Sequence, residues 1–336
     1  MNRLKDFAII GMFLFGSYFS KAEEKTTTSG GKIKTESAHI SWVSQFPLPY
    51  KKEKHEVLKK MVKMVIGEPK QFQLIHPIAI VANSENDFSV LDQGSQVIFD
   101  IKNEKDDVFR CFKKNDNEFS SMAGYCRLPS GEFLFTDSRL NKIYSVSEDK
   151  KHFKLLNDSL KLLQPTGIAY SPISHEVWVI ETAAHRIAIL SDSGKLKRTI
   201  GERGNKEGQF NFPISLCFDK KGNAYVVDAM NFRVEIFDSL GEFQNSFGQA
   251  GDGSGSMARP KGIAVDTFGN IYVVDALFNA VQLFDKYGNL LYSFGCQGRN
   301  KEQFWMPSGI YIDDRNYIYI ADTYNSRIQV FKLINE

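Results

Sequence analysis

Cysteine is scarce in this chain, with four in 336 residues, and no two are close enough to form a Cys-x-x-Cys metal motif or a dense disulfide scaffold. Cys111 and Cys126 fall in neighbouring segments and are the better-placed pair. Cys217 lies in an apolar strand pattern that favours a buried free thiol. Net charge is also nearly absent: 42 Lys and Arg oppose 40 Asp and Glu, a formal +2. That balance gives no basis for specific nucleic-acid binding. The basic run Lys51, Lys52, Lys54, Lys59, Lys60 and Lys63 is local and reads as a solvated face. Long apolar runs are missing too. Phe7 to Phe19 is shorter than the ~20 residues a membrane-spanning helix needs. Preceded by Arg3 and Lys5 and followed by Ser20, Lys21 and Ala22, it has the charge, apolar and small-residue order of a secretory leader cleaved after Ala22. The expectation is an exported, periplasmic or extracellular protein with no mature transmembrane helix.

Aromatic residues, by contrast, make up 13% of the chain and supply much of its apolar bulk. They recur in register. Phe88 to Asp92, Phe133 to Asp137, Val177 to Glu181, Tyr225 to Asp228, Tyr272 to Asp275 and Tyr319 to Asp322 are each an apolar strand ending in an acid. The acids are 45, 44, 47, 47 and 47 residues apart, the repeat length of a four-stranded propeller blade. Pro213, Pro260 and Pro307 open the strand before, while Gly222, Gly269 and Asn316 mark the turn between. One blade alone would leave an apolar face wet, so each must pack on the next. The fold class expected is all-β: a six-bladed propeller of four-stranded antiparallel blades over residues 61–336, preceded by a leader (1–22) and a linker and extension (23–60). The sixth repeat ends at Phe331 to Leu333 without an outer strand. Met61 to Ile66, which resembles the earlier outer strands, is expected to supply it and so give N-terminal strand closure of the last blade.

The recurring proline start, aromatic strand, Asp, Asn-x-Arg and Gly resemble the NHL-repeat family of β-propellers. The likeness is strongest from Gly201 onward, in Asp228 to Arg233 and Asp322 to Arg327. Asp275 to Ala280 departs from it by shifting the Asn and losing the Arg. The resemblance implies a propeller fold; its members include enzymes, nucleic-acid binders and protein-binding modules, so fold does not fix function.

Chemistry is sparse within the repeat. The identical phase of Asp92, Asp137, Glu181, Asp228, Asp275 and Asp322 assigns them to strand-end turns, and Asn231, Asn325, Arg233 and Arg327 receive the same reading. The histidines lack His-x-x-x-His spacing. Residues distant in sequence can converge across a ring, as at a site made by His76, His185 and Glu181; some NHL-like lyases use metal-bound histidines, but this sequence gives no residue-by-residue match to that arrangement. Gly248 to Ser256 lacks both the acids of a calcium loop and the Gly-Lys-Ser/Thr of a phosphate loop, so it reads as an ordinary blade connection. No cofactor is expected, with a metal in the central channel left open. The clearest asymmetry lies in the second-to-third-strand turns and the blade-to-blade connections, which share one face. Blades four to six carry Phe232, Phe278, Trp305 and Tyr324 there, with Phe212, Met230, Leu277 and Met306 beside them. Blades two and three carry Ser138, Arg139, Asn141, Ala183, Ala184 and His185. The leading expectation is an exported protein-binding or scaffold module that uses this aromatic set to hold another protein or complex. The competing one is a lyase or hydrolase with its active site, metal-dependent or not, in the central channel.

Overall fold

Strands begin where β-branched and aromatic residues alternate and end where an acid, glycine or asparagine turns the chain. The computed structural model describes residues 39–47, 73–102, 108–110, 119–149, 152–156 and 158–334. They form six four-stranded antiparallel sheets. Blade four is typical: Pro213–Phe218 is innermost, followed outward by Ala224–Asp228, Arg233–Phe237 and Phe243–Phe247. The second-to-third-strand turns and the connections between blades emerge on one side, called the upper rim below.

Each blade packs on the next through a separate apolar layer. Trp178, Ile180, Ile187 and Ile189 of blade three meet Leu216, Ala224, Val226 and Phe237 of blade four, all buried. Six such layers run around the ring, the last joining Tyr319, Ile328 and Val330 of blade six to Val90 and Phe99 of blade one. Burial of one such side chain is worth roughly 1.5–3 kcal/mol.

The last blade is closed by an N-terminal strand, but not by the expected one. His39–Phe46 pairs antiparallel with Arg327–Ile334, from His39 against Ile334 to Phe46 against Ile328. Met61 to Ile66 lies outside the described residues, and the edge it was expected to fill is already taken. A bulge between Trp42 and Ser44 divides the work of the closing strand. Ile40 and Trp42 pack toward blade five, whereas Val43 and Phe46 pack toward blade one. Trp42 also donates its indole N–H to Gln329 Oε1 at 3.1 Å.

The connections from outer to inner strands, at 201–210, 248–257 and 295–304, repeat one geometry. In each, a wholly buried Phe210, Met257 or Phe304 folds under a short parallel bridge. Gly248 to Ser256 is thus one of three equivalent connections. A residue on the third strand holds each loop: Gln282 accepts from Gly255 N and donates to Ser256 O, and Gln329 accepts from Glu302 N and donates to Gln303 O. In blade four this residue is Glu235. Its Oε1 accepts from Gly208 N and lies 2.9 Å from Arg233, while its buried Oε2 has no hydrogen-bond partner. Burial pushes the Glu235 carboxyl up to about 7 despite the opposing pull of Arg233.

Two outcomes follow from this architecture. Removing residues through 38 should leave cooperative unfolding intact, whereas removing them through 46 should collapse it; equal denaturation curves for the two truncations would reject His39–Phe46 as the closing strand. A carboxyl with a raised folded pKa binds its proton more tightly in the native state, so its contribution to stability falls as pH rises from the unfolded value to about 7. Glu235→Gln supplies the amide found in blades five and six, and Arg233 keeps Asp228 at 3.0 Å. The variant should lose less stability across that window and exceed wild type by about 1 kcal/mol or more above it, as measured by urea unfolding over a pH series.

Candidate functional site

The six repeated acids are turned to architecture. Each lies at the end of a second strand and accepts a backbone N–H from just ahead of its own blade's inner strand. The donors are Ile75 to Asp92, Ser120 to Asp137, Leu163 to Glu181, Asn211 to Asp228, Ala258 to Asp275 and Trp305 to Asp322, at 2.6–2.9 Å. Asn231 and Asn325 bond both their acid and the carbonyl of Gly204 or Gly298. Arg233 and Arg327 bridge their acid to further carbonyls of the same connection.

The residue four places after each acid has left-handed backbone geometry: Gln96, Asn141, His185, Phe232, Asn279 and Ser326, with φ between 53° and 58°. This position suits Asn and strains a bulky residue such as phenylalanine. In three blades its side chain takes a backbone N–H of the following connection. Asn141 accepts from Gln164, His185 Nδ1 from Phe212 at 3.1 Å, and Asn279 from Met306. His185 therefore belongs to this set of inter-blade ties. Its proposed companions have other attachments, Glu181 to Arg186 at 2.7 Å and His76 to the ring of Tyr324 at 5.4 Å. Among the described residues no group of three or more His, Cys, Asp or Glu side chains is placed to hold a metal ion.

The inner strands surround a central cavity of about 700 Å³. Its ring is tight because the third inner position is small in every blade: Ala79, Gly124, Gly167, Ser215, Gly262 and Gly309. A β-carbon on Gly124 would stand 2.2 Å from Thr166 O, and one on Gly309 the same distance from Ile78 O. Hydroxyls tie the circle further. Thr136 donates to Thr166 O at 2.7 Å, Thr182 to Pro213 O at 2.7 Å and Thr323 to Pro77 O at 2.9 Å, the last joining blade six to blade one.

The channel wall sets apolar residues such as Ile78, Ile214 and Ile310 among polar ones such as Thr166, Ser215 and Ser308. Burial pushes the thiol of Cys126 up to about 12 and that of Cys217 higher still, so neither is an activated nucleophile. Cys126 is a free thiol; Cys111 lies outside the described residues. Asp219, Asp266 and Asp313 line the lower mouth, each absorbed by its own turn. Asp266, for example, accepts from Phe268 N, Asn270 N, Asn270 Nδ2 and the Tyr272 hydroxyl at 2.8–3.1 Å. Lys261 differs from all of these. It lines the channel without a hydrogen bond or ion pair among the described residues, and burial, assisted by Arg259, lowers its pKa from the ordinary lysine value. Lys261 directly follows Pro260 at the start of its inner strand, and the sequence alone sets it apart from its counterparts. The same position elsewhere holds Ile78, Ala123, Thr166, Ile214 and Ser308.

The upper rim presents the expected aromatic set unevenly. Phe212, Met230, Leu277 and Tyr324 are exposed, whereas Phe232, Phe278, Trp305 and Met306 are only partly so. Phe232 packs toward the layer between blades four and five. Trp305 lies between Arg299, 5.1 Å from its ring, and Tyr324 at 5.7 Å. The expected contrast with the earlier blades is weaker than the turn sequences suggested, because Ile75, Leu140 and Leu163 are exposed on the same rim.

Residues 304–331 match the NHL repeat, and residues 211–281 match a family described as a 6-bladed beta-propeller. No curated protein sequence matches the chain. Among solved structures, virginiamycin B lyase from Staphylococcus aureus, crystallised in catalytically inactive form with quinupristin, is similar. It is 18% identical, with 79% of this chain and 97% of that one covered and a TM-score of 0.58. An auxiliary nutrient binding protein from Bacteroides thetaiotaomicron is 15% identical over 78% of this chain and 70% of its own, at 0.62. A chain of a nidogen–laminin complex is 17% identical over 73% and 84%, at 0.55. At these identities the likeness is one of fold. With six four-stranded blades closed into a ring, the protein is a six-bladed β-propeller whose residues 304–331 match the NHL repeat.

Proposed function

We propose that the central channel is the principal functional site and that it takes a small molecule, either for binding or for lyase or hydrolase turnover. The channel itself carries this reading: about 700 Å³ is within the size range of small-molecule sites, and its wall combines apolar side chains with polar and charged groups that can orient a ligand. A lyase and a nutrient-binding protein among the similar propellers support it. The charge, apolar and small-residue pattern from Arg3 to Ala22 supports action outside the cytoplasm. Filling the channel with Ala123→Trp should abolish retention of small molecules in native mass spectra of gently purified protein, at an unchanged unfolding midpoint. Identical retention by wild type and variant would remove the channel from consideration.

A second reading, a protein-binding module, is favoured by the exposure of Met230, Leu277 and Tyr324, each more than half accessible on neighbouring blades. Phe232, Phe278 and Trp305 support them from partly buried positions, with Phe212 and Met306 beside them. If a protein partner is captured by the full chain, Met230→Ser and Leu277→Ser should each cost about 1 kcal/mol or more of affinity. Unchanged titration calorimetry for both would remove the rim as the main contact.

A further inference from the structure

Six residues occupy the second position of the inner strands and line the channel: Ile78, Ala123, Thr166, Ile214, Lys261 and Ser308. Five are neutral. The sixth brings an ammonium into a wall that is otherwise apolar or hydroxylic at this level, and no described acid or carbonyl pairs with it. Its charged neighbour in the same strand region is Arg259, of like sign and exposed at the upper mouth. The nearest acid along its own strand is Asp266, five residues on, or about 16 Å at the rise of a β-strand. That carboxylate already has four donors from its turn.

Lys261 is only partly buried, and its ammonium faces the channel without a partner among the described residues, which leaves it free to anchor an anion that enters. Here the missing partner has a defined character. It must enter the channel and bring one negative charge: a monoanion neutralises the ammonium at this level, whereas a phosphate dianion would leave net negative charge in a channel whose lower mouth already holds Asp219, Asp266 and Asp313. It must also carry an organic body, because Ile78, Ala123 and Ile214 make most of the wall at this level apolar. Resting on the channel reading above, we infer that the ligand is a small organic monocarboxylate, its carboxylate paired with the Lys261 ammonium and its body lying against the inner strands. Arg259 at the mouth adds long-range attraction for an anion, which salt should weaken.

The test pairs each acid with its neutral amide. Full-length mature protein is titrated calorimetrically with hexanoate and hexanamide, benzoate and benzamide, and benzyl phosphate. At least one carboxylate should bind wild type tenfold or more tightly than its amide and than benzyl phosphate. Lys261→Met should erase that preference while raising the unfolding midpoint, since it removes an unpaired ammonium from the wall; Lys261→Arg should retain part of the preference. Equal binding of acid and amide, or a carboxylate preference that survives in Lys261→Met, overturns the inference, as does the absence of binding by every probe. If amides bind wild type but not Ala123→Trp, the channel reading survives while the monocarboxylate inference fails.

Discussion

One buried acid per blade sets the geometry from which the other features follow. By accepting the backbone N–H just ahead of its own blade's inner strand, the carboxylate fixes where that strand begins relative to the second. The fixed start positions the small third residue against the neighbouring strand's carbonyl, and that close approach sets the width of the channel. Desolvation raises the pKa of Asp228 and Asp322, but each is surrounded by a backbone N–H, an asparagine amide and a guanidinium that favour the charged form. A repeated carboxylate in this setting is a structural fastener.

The ring has two kinds of connection. Apolar layers between blades supply the larger energy without direction, while threonine hydroxyls and the left-handed residues after each acid impose register between one blade and the next. The second kind varies. Asn141, His185 and Asn279 all satisfy a backbone N–H of the next connection, through an amide or an imidazole. Phe232, in the same backbone geometry, packs into the core layer instead. A histidine at this position is thus one solution to a backbone problem.

Blade number, strand order and the structural role of the acids were legible from a 44–47-residue period, because four strands and their turns require about that length. The closing strand was misidentified for a physical reason. The bulge at Trp42 and Ser44 interrupts alternation in His39–Phe46, so its two apolar pairs face different blades and never read as one strand face. Met61 to Ile66, a β-prone apolar run broken only by Lys63 and followed by Gly67, is more like the earlier outer strands. The rim aromatics were found from loop phase alone, but phase does not tell Tyr324, which is exposed, from Phe232, which turns inward. Lys261 was overlooked because the comparison between repeats followed what they share, whereas a functional residue on a repeated scaffold is more readily seen as the position at which one copy differs.

The closing strand also governs when the molecule can become whole. Trp42 and its partner Gln329 are 287 positions apart, so the ring's last seam joins nearly the first described residue to nearly the last. At 5–20 residues per second, a ribosome takes roughly 15 to 60 s to make that intervening stretch. Throughout that interval the early strand has no mate and the nascent blades form an open arc. Long-range closure of this kind is paid for in chain entropy before its contacts form. Synthesis therefore leaves the polypeptide threadable until its final strand appears, and a single late docking event converts the arc into a closed body.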